Sequence, residues 1–483
     1  MSDDRNGAGH ASSAEIRSKL DHPVIDADGH FVEFMPLMLD ILRDVGGQKA
    51  ADHHAVRFPK WYALSGQQRQ AKRYTRPPWW ALPTANTVDS ATSMLPALLA
   101  ERMDEIGLDF AVLYPTVGLA AAHFADDDLR LASCRAWNLY QREVFGPHAS
   151  RMTGVAIVPM HTPQEAIDEL DFAVAGQGMK AVLMPSHVLR PIGTDRGGRY
   201  LDVFALDSPH DYEPVWARCA ELGVSPTFHS GGMGWGSRMS PTTYMYNHIG
   251  HFAAASEALC KALFFGGVTR RHPSLRFGFL EGGVGWGVDL FAAIVARWEK
   301  RSGEKVRNYD PERFDRPLFA ELFERHAEGR MRDHRDDVDD VWKRLGPGLQ
   351  DPDHLDDFAA VGIEAATDIR DRFIPNFYFG CEADDPMNAW AFHTKGNPFG
   401  AAVRAIFSSD IGHWDVPDMT EVLEEAYELV EHELLSADDF RDFVFGNAAR
   451  FYAGANPRFF EGTTVEAAVG ALDLDERAPA ATG

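Results

Sequence analysis

The chain is short of cysteine, of positive charge and of long apolar runs, and each shortage excludes something. Its four cysteines, Cys134, Cys219, Cys260 and Cys381, stand far apart with no C-x-x-C pair. That spacing argues against a zinc knuckle or a dithiol redox site, and the thiols read as reduced. Lys and Arg number 47 against 72 Asp and Glu, a net charge of −25, which repels nucleic acid and anionic membrane surfaces. A bound metal or a local Arg can invert that field inside one pocket, so small anionic substrates stay open. No run reaches the roughly 18 apolar residues of a membrane helix, and the N-terminal stretch MSDDRNGAGHASSAEIRSKL has no apolar segment of the secretory kind. The expectation is a cytoplasmic protein with a small-molecule substrate and neither a nucleic-acid nor a membrane partner.

What is present is a core. A hydrophobic fraction of 45% over 483 residues suits one large globular domain. Eight short apolar runs recur: VIDAD (24–28), FAVLYP (110–115), VAIVPM (155–160), AVLMPS (181–186), VSPTFH (224–229), LRFGFLE (275–281), IPNFYFG (374–380) and VRAIFSSD (403–410). Each reads as a buried parallel strand. Amphipathic stretches between them, such as YEPVWARCAELG with Val215, Cys219 and Leu222 on one face, read as helices. The alternation predicts an α/β protein, a distorted (β/α)8 TIM barrel with its active site at the strand C-termini. The barrel domain is expected over 21–460, with insertions at about 31–105 and 300–372 following strands one and six. C-terminal helices follow strand eight, the first with Val422, Ala426, Leu429 and Val430 inward and the next capped by Ser436. Residues 1–20 and 461–483 read as loose ends.

The ends of the strands hold the chemistry. Strand one closes on DADGH, in which Asp26, Asp28 and His30 have the period-two spacing of one strand face; Asp26, the deepest of the three, is expected to support the site through hydrogen bonds. Strand five ends in His229, strand six in Glu281 and strand eight in Asp410. Imidazoles and carboxylates converging on one barrel mouth are the donor set of a divalent ion, with bonds of about 2.0–2.2 Å. His413 stands three residues beyond Asp410, and His251 and His187 could reach the pocket from loops. The aromatic residues Trp61, Trp79, Trp80 and Trp342, with Met233 and Trp235 beside His229, suggest walls for an apolar, aromatic or cyclic substrate, or a dimer interface.

VIDADGH, FHSGG, RRHPSLRFGFLEGGVGW, SSDIGHWD and FVFGNAARFY together resemble the amidohydrolase superfamily, in the branch that includes aminocarboxymuconate-semialdehyde and resorcylate decarboxylases. The resemblance spans residues 24–457 and implies one divalent metal, zinc first and manganese second, on Asp28, His30, His229 and Asp410. The chain departs from the family pattern in three places: D-x-H replaces H-x-H or E-x-H, Glu281 stands where decarboxylases offer a His, and Lys180 precedes strand four instead of ending it. The last departure favours a single ion over two. The resemblance implies a homodimer or higher homo-oligomer and leaves two chemistries. In the first, preferred because Glu281 can act as a base, a mononuclear hydrolase attacks a carbonyl compound with metal-activated water. In the second, a non-oxidative decarboxylase acts on an aromatic or unsaturated acid. The catalytic candidates are Asp410, Glu281, His413 and His251. A non-catalytic metal-binding protein is a distant third reading.

Overall fold

The structure, a computed structural model, describes residues 11–77, 85–193, 197–229, 239–310, 313–345 and 355–474. The chain forms two compact units, one comprising the residues up to Leu290 together with those from Asp371 onward, the other Phe291–Arg370.

The first unit holds every strand among the described residues: β1 (Ile25–Phe31), β2 (Phe110–Pro115), β3 (Met152–Ile157), β4 (Ala181–Met184), β5 (Val188–Pro191), β6 (Arg199–Asp202), β7 (Pro226–Phe228), β8 (Phe277–Phe279), β9 (Phe377–Glu382) and β10 (Arg404–Ser408). Eight of them pair in parallel in the order β1-β2-β3-β4-β7-β8-β9-β10, one for each apolar run of the sequence. They are buried along nearly their whole length, because helices cover the outside and side chains fill the inside. The seam is made just beyond β10, where Asp410 N–H donates to Asp28 O at 3.2 Å and His30 N–H to Ile411 O at 2.8 Å. This is the (β/α)8 barrel. The antiparallel pair β5–β6 was not expected; its residues VLRP and RYLD carry no alternating apolar pattern.

Several expectations need correction. The N-terminal residues are not all loose: α1 (Ser13–Lys19) starts from a capping box at Ser12, buries Ile16 and pairs Arg17 with Asp109 at 2.5 Å. At the other end Thr464 Oγ1–H donates to Asp109 O at 2.7 Å and Val465 is buried, so part of the tail packs on the barrel. In the helix Val422–Glu431 the inward residues are Val422, Leu423, Ala426 and Leu429, with Leu423 in place of Val430. In Glu213–Leu222 Trp216 joins Val215 and Cys219 in the core, and Leu222 is only half-buried. Ser436 caps its helix through a capping box as expected. Lys180 donates to Phe459 O at 2.8 Å, at the opposite end of β4 from the strand C-termini.

The insertion after β1 folds largely as helices. α2 (Met35–Tyr62) is broken at Gly47 (φ 73°), and α3 (Gly66–Lys72) begins at a Ser65 capping box. The second unit, near the expected 300–372 insertion, is helical and contains no strand among its described residues, with helices at Arg316–His326 and Val338–Leu345.

Candidate metal centre

The DADGH segment does two jobs in succession. Asp26 faces the seam: its Oδ1 accepts from Ser409 N–H at 3.0 Å and Asp28 N–H at 3.2 Å, and its Oδ2 accepts from Ser409 Oγ–H at 2.5 Å. Burial pushes this carboxyl up to about 6. The strand register shifts between Asp26 and Gly29, so strict alternation is interrupted here. Gly29 is needed at that shift, since a Cβ there would meet Asp26 Oδ2 at 2.4 Å.

Beyond the shift, Asp28 and His30 turn into the barrel mouth. Asp28, His30 and His229 each present a ligand atom within 4.8 Å of the others, and so do His30, Asp410 and His413. The two sets share His30, whose Nε2 lies 3.6 Å from Asp28 Oδ1 and 3.3 Å from Asp410 Oδ1. Atoms bonded to one ion at about 2.0–2.2 Å are separated by roughly 2.8–3.6 Å at tetrahedral or octahedral angles. Asp28 Oδ1 and His30 Nε2 are buried and have no hydrogen-bond partner among the described residues, although buried polar atoms normally have one. Burial, and then the nearness of Glu281 and Asp410, raises the Asp28 carboxyl well above its ordinary range, opposed by His229. Burial also holds the His30 imidazole well below its ordinary value, leaving it neutral as a ligand must be. Crowded carboxylates, neutral imidazoles and orphaned oxygen and nitrogen atoms fit a divalent cation.

Further titratable groups surround this set. His413 lies 2.9 Å from Asp410 through Nδ1 and 3.3 Å from Thr116 Oγ1 through Nε2. Glu281 Oε2 lies 2.8 Å from His229 Nε2. Asp410 and Glu281 both have left-handed backbones, with φ of 51° and 55°. That conformation costs a non-glycine residue about 1–3 kcal/mol and gathers at functional sites. Glu281 and His413 open onto a cavity of about 1140 Å³, lined also by Trp61, whose indole N–H donates to Thr75 O at 2.9 Å.

His251 does not line this cavity; His248 and Phe252 do. His251 starts the helix His251–Phe265, whose first turn directs Phe252, not His251, toward the cavity, with Phe252 packed edge-on against His229. His187 lies against His123, ring centroids 5.8 Å apart, also away from the cavity wall. Trp79, Trp80, Met233 and Trp235 lie outside the described residues, as does the side chain of Trp342. Sequence reasoning missed Asp415, pushed up to about 8 by burial and by Asp410, and Glu382, pushed up to about 7 by burial and by Asp415. Both share a ligand-sized cluster with His248. The only sequence signal for Asp415 was its place in SSDIGHWD.

Comparison with known proteins fits this geometry. The family model described as Amidohydrolase matches residues 25–331. The chain belongs to the amidohydrolase family. This amidohydrolase is 25% identical over 188 residues to the 2-amino-3-carboxymuconate-6-semialdehyde decarboxylase of Dictyostelium discoideum, covering 39% of this chain and 48% of that protein. It thus spans about half the length of the curated relative it matches. Among solved structures it resembles an amidohydrolase from Mycobacterium avium subsp. paratuberculosis (TM-score 0.52, 19% identity, 90% of this chain and 100% of that one). It also resembles a 5-carboxyvanillate decarboxylase from Novosphingobium aromaticivorans, solved with manganese and 3-methoxy-4-hydroxy-5-nitrobenzoic acid (TM-score 0.51, 14% identity, 90% and 98%). At these identities the structural likeness establishes the fold. No helix among the described residues is long and apolar enough to cross a membrane.

Proposed function

We propose that this amidohydrolase is a metal-dependent, non-oxidative decarboxylase of an aromatic or unsaturated carboxylic acid, with Asp28, His30, His229 and Asp410 holding one divalent ion. A bound ion would supply positive charge to anchor and polarise an anionic substrate. The mixed oxygen and nitrogen donor set suits zinc or manganese, and manganese accompanies the carboxyvanillate decarboxylase.

The observation that carries this reading is the Asp410–His413 pair, 2.9 Å apart, with the imidazole on the cavity wall. Decarboxylation breaks the bond between carbon and carboxylate, releases carbon dioxide and leaves an electron pair that must capture a proton. Asp410 delivers that proton and His413 restores it from the cavity side. The name of the Dictyostelium relative supports the same reaction. Hydrolysis, preferred from the sequence, is the second reading; one observation favours it, namely that Glu281 lines the same cavity.

Turnover in ¹⁸O-labelled water and in deuterium oxide decides between them. Decarboxylation predicts released carbon dioxide, solvent deuterium on the carbon that bore the carboxyl group and no ¹⁸O in the organic product, with Glu281→Gln retaining most of the rate. Incorporated ¹⁸O and a Glu281→Gln variant slowed by about 10²–10⁴-fold would establish hydrolysis instead.

A further inference from the structure

The cavity beside the candidate metal centre is larger, and differently charged, than a single-ring acid requires. Its volume of about 1140 Å³ lies above the roughly 300–1,000 Å³ that accommodates a drug-sized ligand. Most of the wall is apolar, including Leu39, Val56, Leu119, Phe252 and Trp414. Among the described residues four of the lining side chains are cationic, Arg57, Lys60, Lys72 and Arg73, against a single carboxylate, Glu281. On a chain with net charge −25 this is a local inversion of sign, and a low-dielectric cleft lined by one sign of charge concentrates ligands of the other.

The cations come from α2, α3 and the residue after it, whereas Glu281 and His413 follow β8 and β10. The cavity therefore joins a basic wall built by the insertion after β1 to the metal-binding end of the barrel. Lys60, Lys72 and Arg73 are exposed, so salt screens them. Arg57 is half-buried, and its guanidinium lies over the Phe124 ring at 4.6 Å, a contact that holds the charge in place.

We infer that the substrate is an extended dianion: an apolar body of two or more linked or fused rings with the reacting carboxylate at the metal end and a second anionic group facing Arg57, the specificity-determining cation. The inference rests on the decarboxylase reading only for the identity of the reacting group.

The test is ligand binding to the purified full-length protein, followed by quenching of tryptophan fluorescence with metal content measured on the same samples. The probes are benzoate, biphenyl monocarboxylate and a biphenyl dicarboxylate with carboxyls at opposite ends. The dicarboxylate should bind at least tenfold more tightly than benzoate and at least fivefold more tightly than the monocarboxylate. Arg57→Leu should reduce the second ratio to below twofold and leave benzoate binding unchanged, and Arg57→Lys should keep part of it. Leu119→Trp, which fills the cavity, should weaken both biphenyl acids at least tenfold. Equal affinity for benzoate and the biphenyl acids, or a dicarboxylate preference that survives Arg57→Leu, overturns the inference. Carbon dioxide release, scored separately, keeps the two ideas apart. The expected binding pattern without carbon dioxide from any acid removes the decarboxylase reading alone. Carbon dioxide from single-ring acids with no preference for the biphenyl acids removes this inference alone.

Discussion

The imidazole of His413 lies on that of His30 with ring centroids 3.8 Å apart and planes 22° apart, while its Nδ1 reaches Asp410 Oδ1 at 2.9 Å. Burial, opposed by the Asp415 carboxylate, holds His413 at about 4. One stack thus joins a proposed ligand to a neutral proton carrier on the cavity wall, and the two roles can be separated by mutation.

His413→Gln should retain the metal content of the wild type and lose about 10²–10⁴-fold in turnover, the usual loss for a positioned acid–base group. Elemental analysis beside a carbon dioxide assay checks both. Metal loss equal to the activity loss would make His413 a ligand instead.

Asp28→Ala and His30→Ala should each strip most of the metal, because each removes a buried donor atom that has no hydrogen-bond partner among the described residues. Full metal content in both variants, measured after dialysis, would remove the proposed centre.

Asp410→Asn should abolish turnover even where some metal remains, since an amide oxygen coordinates weakly and cannot carry the proton. A rate within a few-fold of wild type would exclude Asp410 from the chemistry.

Asp26 is predicted to act on stability and not as a ligand. Asp26→Ala leaves the N–H groups of Ser409 and Asp28 without their acceptor and should cost roughly 2–4 kcal/mol in denaturant unfolding. An unchanged midpoint would mean that the seam does not depend on it.

Acid should weaken the fold through histidines remote from the proposed ligands. Burial lowers His54 and His123 from 6.5 to about 3 and His161 and His187 to about 4. Below pH 6.5 the unfolded chain takes up protons that the folded chain does not. Their contribution is therefore full above 6.5 and is lost as pH falls toward 4 and 3. The raised carboxyls Asp26, Glu382 and Asp415 act in the opposite direction over the same range, so the histidine contribution is read as a difference in the pH slope of urea stability between wild type and a histidine variant. His54 Nε2 sits 2.9 Å from Ser133 Oγ, and His54→Asn should lower that slope by about one proton between pH 7 and 5. Identical slopes in the two proteins would contradict the burial of this ring.

The sequence by itself determined the barrel and the types of residue at its mouth. All eight parallel strands are visible as apolar runs because a strand buried on both faces has no polar alternation to hide it, and a parallel strand ending in Asp, His or Glu must present that group at the C-terminal rim. Tertiary structure alone decided the rest. That Asp26 is a hydrogen-bonding support was legible in the strand spacing, but that its partner is Ser409, 383 positions away, and that the register shifts beside it, no local pattern encodes. Whether His248 or His251 faces the cavity turns on where a helix begins, since a few residues of offset rotate a side chain from one face to another. The basic wall of Arg57, Lys60, Lys72 and Arg73 lies far in sequence from Glu281, and only the path of the insertion after β1 brings them around one cavity. Strand and helix periods are local properties; the route of a loop is set by everything it packs against.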